Sequence, residues 1–199
     1  MRKLYIFDVG GVLCENCDVI PPIVNYLGIT EEYFLKVAGE IFIRLLEGKI
    51  SSHEFWEKFS KKSGQKIKEE LFGKFFHPEI NEGVKKLILQ LKTHSRVVCG
   101  TNVIDSHYDY LLKRGNYNIF DKVYASHIMG VAKPNPNFYR YILKEEKIEP
   151  EETIFVDDVK ENIISAQNIG IKSIIFRGSD FLVATINTVS YTHLTLPTN

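Results

Sequence analysis

Lys3-Leu-Tyr-Ile-Phe-Asp-Val-Gly-Gly-Val-Leu13 is the stretch whose reading decides the fold. Leu4 to Phe7 form a short apolar run that ends on a carboxylate, Asp8, with Gly10 and Gly11 close behind. A run this short, bounded by glycine, predicts a strand buried on both faces. An ionised Asp at the end of such a strand is costly unless a charge meets it. In an open parallel sheet, the carboxyl ends of the strands are where ligands bind. A single strand-terminal Asp reads more simply as a cap for the next turn. Three later stretches shift that weighting.

Moving outward, the chain passes Cys14-Glu-Asn-Cys17 and Pro21-Pro22 and then turns helical as far as Pro78. Ile41, Leu45 and Leu46 recur at helical spacing, Gly48 closes that helix, and Ser51-Ser-His-Glu54 reads as a capping box for the next. Phe55, Trp56 and Phe59 continue the apolar face, and Leu71, Phe72, Phe75 and Phe76 make a further aromatic group. These aromatics are expected to be the core of a helical insert over residues 15–79. Beyond Pro78, helix and strand alternate. Helices are predicted over Val84–Leu91, Tyr108–Arg114, Asn137–Glu146 and Asn162–Ile169, and strands over Arg96–Gly100, Lys122–Ala125, Thr153–Val156 and Lys172–Phe176. Strands separated by helices imply parallel pairing. The fold class is therefore α/β, a doubly wound parallel sheet of five strands built from residues 1–14 and 80–188, carrying the helical insert.

Of the 199 residues, 44% are apolar, enough to fill such a core, and Lys+Arg balance Asp+Glu at 25 each, so no net field favours nucleic acid or an anionic membrane. No run approaches a membrane span, and the N-terminus enters the first strand without a signal peptide. Three cysteines do not suggest a disulfide framework, and a reducing cytoplasm is the expected compartment. Val189-Ser-Tyr-Thr-His-Leu-Thr-Leu-Pro-Thr-Asn199 looks like a translated sequencing adapter and is expected to make few contacts. Oligomeric state is left open.

Polar groups now stand at three strand ends: Asp8, Thr101-Asn102 and Asp157-Asp158. A lysine, Lys133, lies in the loop after the third strand, before Pro134. In a doubly wound sheet these ends converge on one edge. Carboxylates gathered there repel one another, and a divalent cation is the natural remedy; an all-oxygen donor set points to Mg²⁺. A Thr hydroxyl, backbone amides and a Lys suit a phosphate.

Four segments together resemble the haloacid dehalogenase-like hydrolase superfamily, in its branch with a helical cap inserted after the first motif. They are Phe7-Asp-Val-Gly-Gly-Val-Leu13, Val97-Val-Cys-Gly-Thr-Asn102, Lys133-Pro134, and Ile154-Phe-Val-Asp-Asp158 with Asn162. Gly48-Lys-Ile-Ser-Ser-His-Glu-Phe55 is similar to the cap of bacterial sugar-phosphate phosphatases. The resemblance implies a Mg²⁺-dependent phosphatase acting on a small phosphorylated metabolite such as a sugar phosphate. It makes Asp8 the nucleophile, forming an aspartyl-phosphate. It assigns the metal to Asp8, Asp158 and the Gly10 carbonyl, with Asp157 in or beside the metal shell. Thr101 and the Asn102 amide would hold phosphoryl oxygens, and Lys133 would offset charge on the phosphate and on Asp8.

One position departs from the pattern. Phosphatases of this family commonly carry a second Asp two residues after the nucleophile as general acid/base, and here that position is Gly10. Such help is typically worth ~10²–10⁴-fold. Two alternatives stay open: a metal-free dehalogenase, which does not need the paired Asp157-Asp158, and a catalytically silent binding module. His107 could stand in as a proton donor, although a surface histidine at a helix start is the simpler reading. Cys14 and Cys17 read as ordinary loop and core cysteines.

Overall fold

The computed structural model describes residues 3–191. Strand β1 is Leu4–Phe7 and the two-residue strands β2 and β3 are Cys14–Glu15 and Glu79–Ile80. The later strands are β4 Arg96–Thr101, β5 Lys122–Ala125, β6 Thr153–Asp157 and β7 Lys172–Ile175. One five-stranded sheet has the order β5-β4-β1-β6-β7, with every pair parallel. The α/β fold is as expected.

Both faces of the sheet are covered, which is why its strands read as unbroken apolar runs. Side chains alternate along a strand. Leu4 and Ile6 join Val98 and Phe155 on one face, under Phe138, Tyr139 and Ile142 of helix Pro136–Glu146 and Ile163 and Ala166 of helix Lys160–Gln167. Tyr5 and Phe7 join Val97, Cys99, Ile154 and Val156 on the other, under Val84, Leu87, Ile88 and Leu91 of helix Glu82–Lys92. Leu182 and Ile186 of helix Ser179–Tyr191 complete that second layer. This last helix carries the chain through residues 189–191 of the adapter-like stretch; the rest of that stretch lies outside the described residues.

Between β2 and β3 the chain is helical. The helices are α1 Ile20–Leu27, α2 Glu31–Leu46, α3 Ser52–Ser63 and α4 Leu71–Phe75. Helix α2 is broken at Gly39, whose φ of 35° and ψ of −124° interrupt the helical ladder. The capping box at Ser51 and Glu54 is present in full. Phe34, Phe55, Trp56, Phe59 and Phe72 pack ring on ring, with Trp56 and Phe72 centroids 4.6 Å apart. They form the interior of this helical layer, as anticipated, and the apolar cluster continues from them into the sheet.

Strands β2 and β3 pair antiparallel where the chain leaves the sheet and returns, and the Asn81 N–H donates to Leu13 O at 2.8 Å. Two-residue strands have no readable periodicity, so the sequence did not announce them. A second tie joins the helical layer to the sheet. Asp105 opens helix α6, Asp105–Lys113 (α5 being Glu82–Lys92), and its carboxylate accepts from the backbone N–H and the hydroxyl of Ser52. Nearby, Gly48 lies against the His127 carbonyl with φ of +64°, where a Cβ would overlap that oxygen. Among the described residues no helix is long and apolar enough to cross a membrane.

Candidate active site

The loop after β1 folds back on itself. The Cys14 N–H donates to Val9 O at 2.7 Å and the Gly11 N–H donates to Cys14 O at 2.8 Å. Gly11 has φ of +72°, and a Cβ there would overlap the Asp158 carboxylate, so only glycine lets the two loops approach. Gly10 differs: an added Cβ would meet only Cys17 Cβ, at 3.9 Å, an ordinary contact.

Strands β1 and β6 are neighbours, with Phe7 opposite Val156, and the Asp8 N–H donates to Val156 O at 2.9 Å. Asp8 and Asp157 therefore leave the sheet side by side. Lys133 reaches them from the loop that precedes helix Pro136–Glu146. Its ammonium lies 2.8 Å from Asp8 Oδ2 and 2.6 Å from Asp157 Oδ2, with no part of the side chain exposed. A buried ammonium needs such partners to remain charged. Burial works to lower its pKa, but the two carboxylates outweigh that and hold it above the ordinary lysine range.

The two aspartates at the end of β6 have different surroundings. Asp157 is fully buried and both its oxygens are taken: Oδ1 accepts from the Val159 N–H and from Asn162 Nδ2, and Oδ2 from Lys133 and Asn162. Asp158 is exposed and turns its carboxylate toward Gly11. One oxygen from each of Asp8, Asp157 and Asp158 lies within 4.8 Å of the others. Three carboxyl groups face one ammonium, so the cluster is short of positive charge.

That imbalance appears in the acidities. Burial raises Asp8 to about 7; Lys133 pulls it down, while Asp157 pushes it up. Asp158 is also raised, by burial and then by Asp157. Hard oxygen donors, a shortage of positive charge and one exposed carboxylate fit a small divalent cation such as Mg²⁺.

Thr101 ends β4, paired with Ala125 of β5, and is almost fully buried. Asn102 follows it, and its carboxamide clamps the Lys133 peptide, Nδ2 donating to Lys133 O at 2.9 Å and Oδ1 accepting from Lys133 N–H at 2.8 Å. The side-chain role of Asn102, that of holding the lysine loop, was not legible in the sequence, because the two residues are 31 apart. Asp8, Asp157, Asp158 and Lys133 thus meet at the carboxyl ends of β1 and β6, and Thr101-Asn102 closes the neighbouring β4.

His107 is not the surface histidine that the sequence suggested. It sits in the first turn of α6, stacked on Phe76 at 3.7 Å, with Nε2 3.3 Å from Phe72 O. Burial lowers its pKa to about 4, which favours the neutral imidazole and makes it a poor general acid. Cys14, Cys17 and Cys99 are all free thiols.

The chain belongs to the haloacid dehalogenase-like hydrolases, whose family profile matches residues 5–176. A sesquiterpene phosphatase of Aspergillus oryzae is 28% identical over 176 residues, covering 84% of this chain and 86% of that protein. A D-ribitol-5-phosphate phosphatase of Bacteroides thetaiotaomicron is 25% identical, covering 87% and 91%. The chain spans only 16% of a drimenol cyclase of Aspergillus calidoustus, to which it is 35% identical over 86 residues. A haloacid dehalogenase-family enzyme of Bacteroides thetaiotaomicron, crystallised with magnesium and inorganic phosphate, superposes with a TM-score of 0.72 at 26% identity, covering 89% of this chain and 95% of that one.

Proposed function

We propose that the protein is a Mg²⁺-dependent phosphomonoesterase that hydrolyses a small phosphorylated metabolite through an aspartyl-phosphate on Asp8. The observation that carries this reading is the Lys133 ammonium held between Asp8 and Asp157, 2.8 and 2.6 Å away, beside the outward-facing Asp158. It sets positive charge against the Asp8 carboxyl at the place where an anionic substrate must approach.

Asp8, Asp158 and the Gly10 carbonyl would hold the cation, with Asp157 next to its shell. Bound there, Mg²⁺ supplies positive charge to phosphoryl oxygens. Asp8 attacks phosphorus, an Asp8–phosphorus bond forms, and the ester P–O bond breaks. The leaving oxygen takes a proton from water, since Gly10 offers none. Water then attacks the aspartyl-phosphate, releasing phosphate and restoring Asp8. Lys133 offsets charge on Asp8 and on the phosphoryl group, and Thr101 with the Asn102 backbone amide positions its oxygens. Residues 15–79 act as the cap that selects the alcohol. The relatives include phosphatases of an apolar and of a polyol alcohol, so kinship alone leaves that alcohol undecided. The three free thiols support a reducing compartment, the cytoplasm.

Mg²⁺-dependent phosphate release from para-nitrophenyl phosphate tests the reading. It also separates a phosphatase from a dehalogenase and from a silent binding module. Asp8→Asn, nearly isosteric, should abolish turnover and leave the fold intact. An Asn variant of near wild-type activity removes Asp8 from its role.

A further inference from the structure

A pocket of roughly 170 Å³ lies between the end of β4 and the helical layer. It reaches the active site at two residues. Asn102 directly follows Thr101, and Cys17 is the residue a Cβ on Gly10 would touch. Elsewhere the wall is largely carbon: Val19, Ile20, Phe42, Leu46, Phe72 and Ile104.

Most of the polar groups in this lining are already engaged by the chain itself, Asp18 through one oxygen only. The Asn102 carboxamide is bonded at both ends to the Lys133 peptide. The Cys17 thiol donates to Cys14 O at 3.3 Å. Asp18 accepts from the Ile20 N–H at 3.0 Å, at the start of α1. His107 is tied to Phe72 O and stacked on Phe76. A polyol chain lying against Val19, Phe42, Leu46, Phe72 and Ile104 would lose water there without gaining partners for most of its hydroxyls, which is unfavourable at each one. An apolar chain meets no such penalty and gains from burial. The volume also indicates how much of a chain is buried. A dry cavity of about 150 Å³ accommodates a benzene ring, so this pocket suits a group of about six to eight carbons.

We propose that the substrate is the phosphate monoester of a compact apolar alcohol of about that size, and not of a sugar or other polyol. This inference rests on the phosphatase reading above. Leu46 and Phe42, both half-buried on α2, are its specificity-determining residues.

The test is kcat/KM for ethyl, butyl, hexyl, decyl and phenylethyl phosphates, with D-ribitol-5-phosphate as the polyol comparator. All are primary esters, so the missing proton donor at Gly10 handicaps each alike. Burial of one methylene is worth about a fourfold gain. The expected result is a rise of that order per methylene up to hexyl and a plateau by decyl. Hexyl and phenylethyl phosphates should exceed D-ribitol-5-phosphate by at least about tenfold. Leu46→Asn should cut the hexyl-to-ethyl ratio by about tenfold; the wild-type series stands by itself should that variant fold poorly. A flat dependence on chain length, or a preference for D-ribitol-5-phosphate, overturns the apolar pocket while leaving the phosphatase. Failure to hydrolyse any ester, para-nitrophenyl phosphate included, overturns the phosphatase reading and this inference with it.

Discussion

Replacing Gly10 by Asp should speed the hydrolysis of alkyl phosphates far more than that of aryl phosphates. The leaving oxygen of a phosphomonoester needs a proton as its bond to phosphorus breaks, and the native chain has only water to give it. A phenolate leaves without much help; an alkoxide does not. The backbone can take the new side chain. Its Cβ would meet nothing nearer than Cys17 Cβ at 3.9 Å, and Gly10 is not in the left-handed region, unlike Gly11 beside it with φ of +72°. Electrostatics favours the right protonation state. The new carboxyl joins three carboxylates served by one lysine, where burial and crowding already hold Asp8 up at about 7. Crowding by these carboxylates favours its protonated form, the form a general acid needs. Such a donor is worth roughly 10²–10⁴-fold. We expect the lower end, about 10²-fold, because the surrounding loop did not form around a side chain. The gain should fall in kcat rather than KM, since a proton passed only in the transition state does not strengthen substrate binding. The assay is phosphate release from hexyl and para-nitrophenyl phosphates by both proteins, with kcat and KM resolved separately. The native enzyme should show a steep dependence of kcat on leaving-group pKa, and the variant a shallow one. A flat dependence in the native enzyme would refute the reasoning, for another group would then already be the donor. His107 would be a poor such donor, with its pKa lowered to about 4.

Lys133→Met should abolish turnover and destabilise the fold by about 3–5 kcal/mol, because it strands the buried Asp8 and Asp157 carboxylates. The loss should ease on acidification: Asp8 has a raised pKa, so its protonated form favours the folded state, and chemical denaturation at two pH values checks this. Mg²⁺ should raise the melting temperature of the native protein by linkage, and Asp158→Ala should lose most of that shift; an unchanged shift would move the cation elsewhere. His107 has a lowered pKa in the fold, so the unfolded chain binds its proton more readily. Stability should then fall as pH drops from about 6.5 toward 4, by up to about 3 kcal/mol, and His107→Phe, which keeps the stacking on Phe76, should flatten that part of the pH profile.

The amino-acid sequence by itself determined the five strands of the sheet, the polar residues at their ends, the helical segment between them and the family. These are local facts. A buried parallel strand must be a short apolar run, and a ligand-binding sheet must carry its polar groups just past such runs. The aromatic core of the helical segment was legible for the same reason, since Phe55, Trp56, Phe59 and Phe72 fall on helix faces or next to them. Tertiary structure alone decided how the partners are matched. Asp157 and Asp158 are adjacent in the chain, yet one is sealed against Lys133 and Asn162 and the other faces outward, because successive residues leaving a strand point to opposite sides. Asn102 holds the Lys133 loop, and Asp105 ties Ser52 to the sheet, across separations of 31 and 53 residues that no periodicity spans. His107 becomes neutral only because Phe76 and the surrounding fold remove its water. The pocket beside Asn102 arises in the same way, from side chains of α1, α2, α4, α6 and the end of β4 that meet only when the helical layer lies on the sheet.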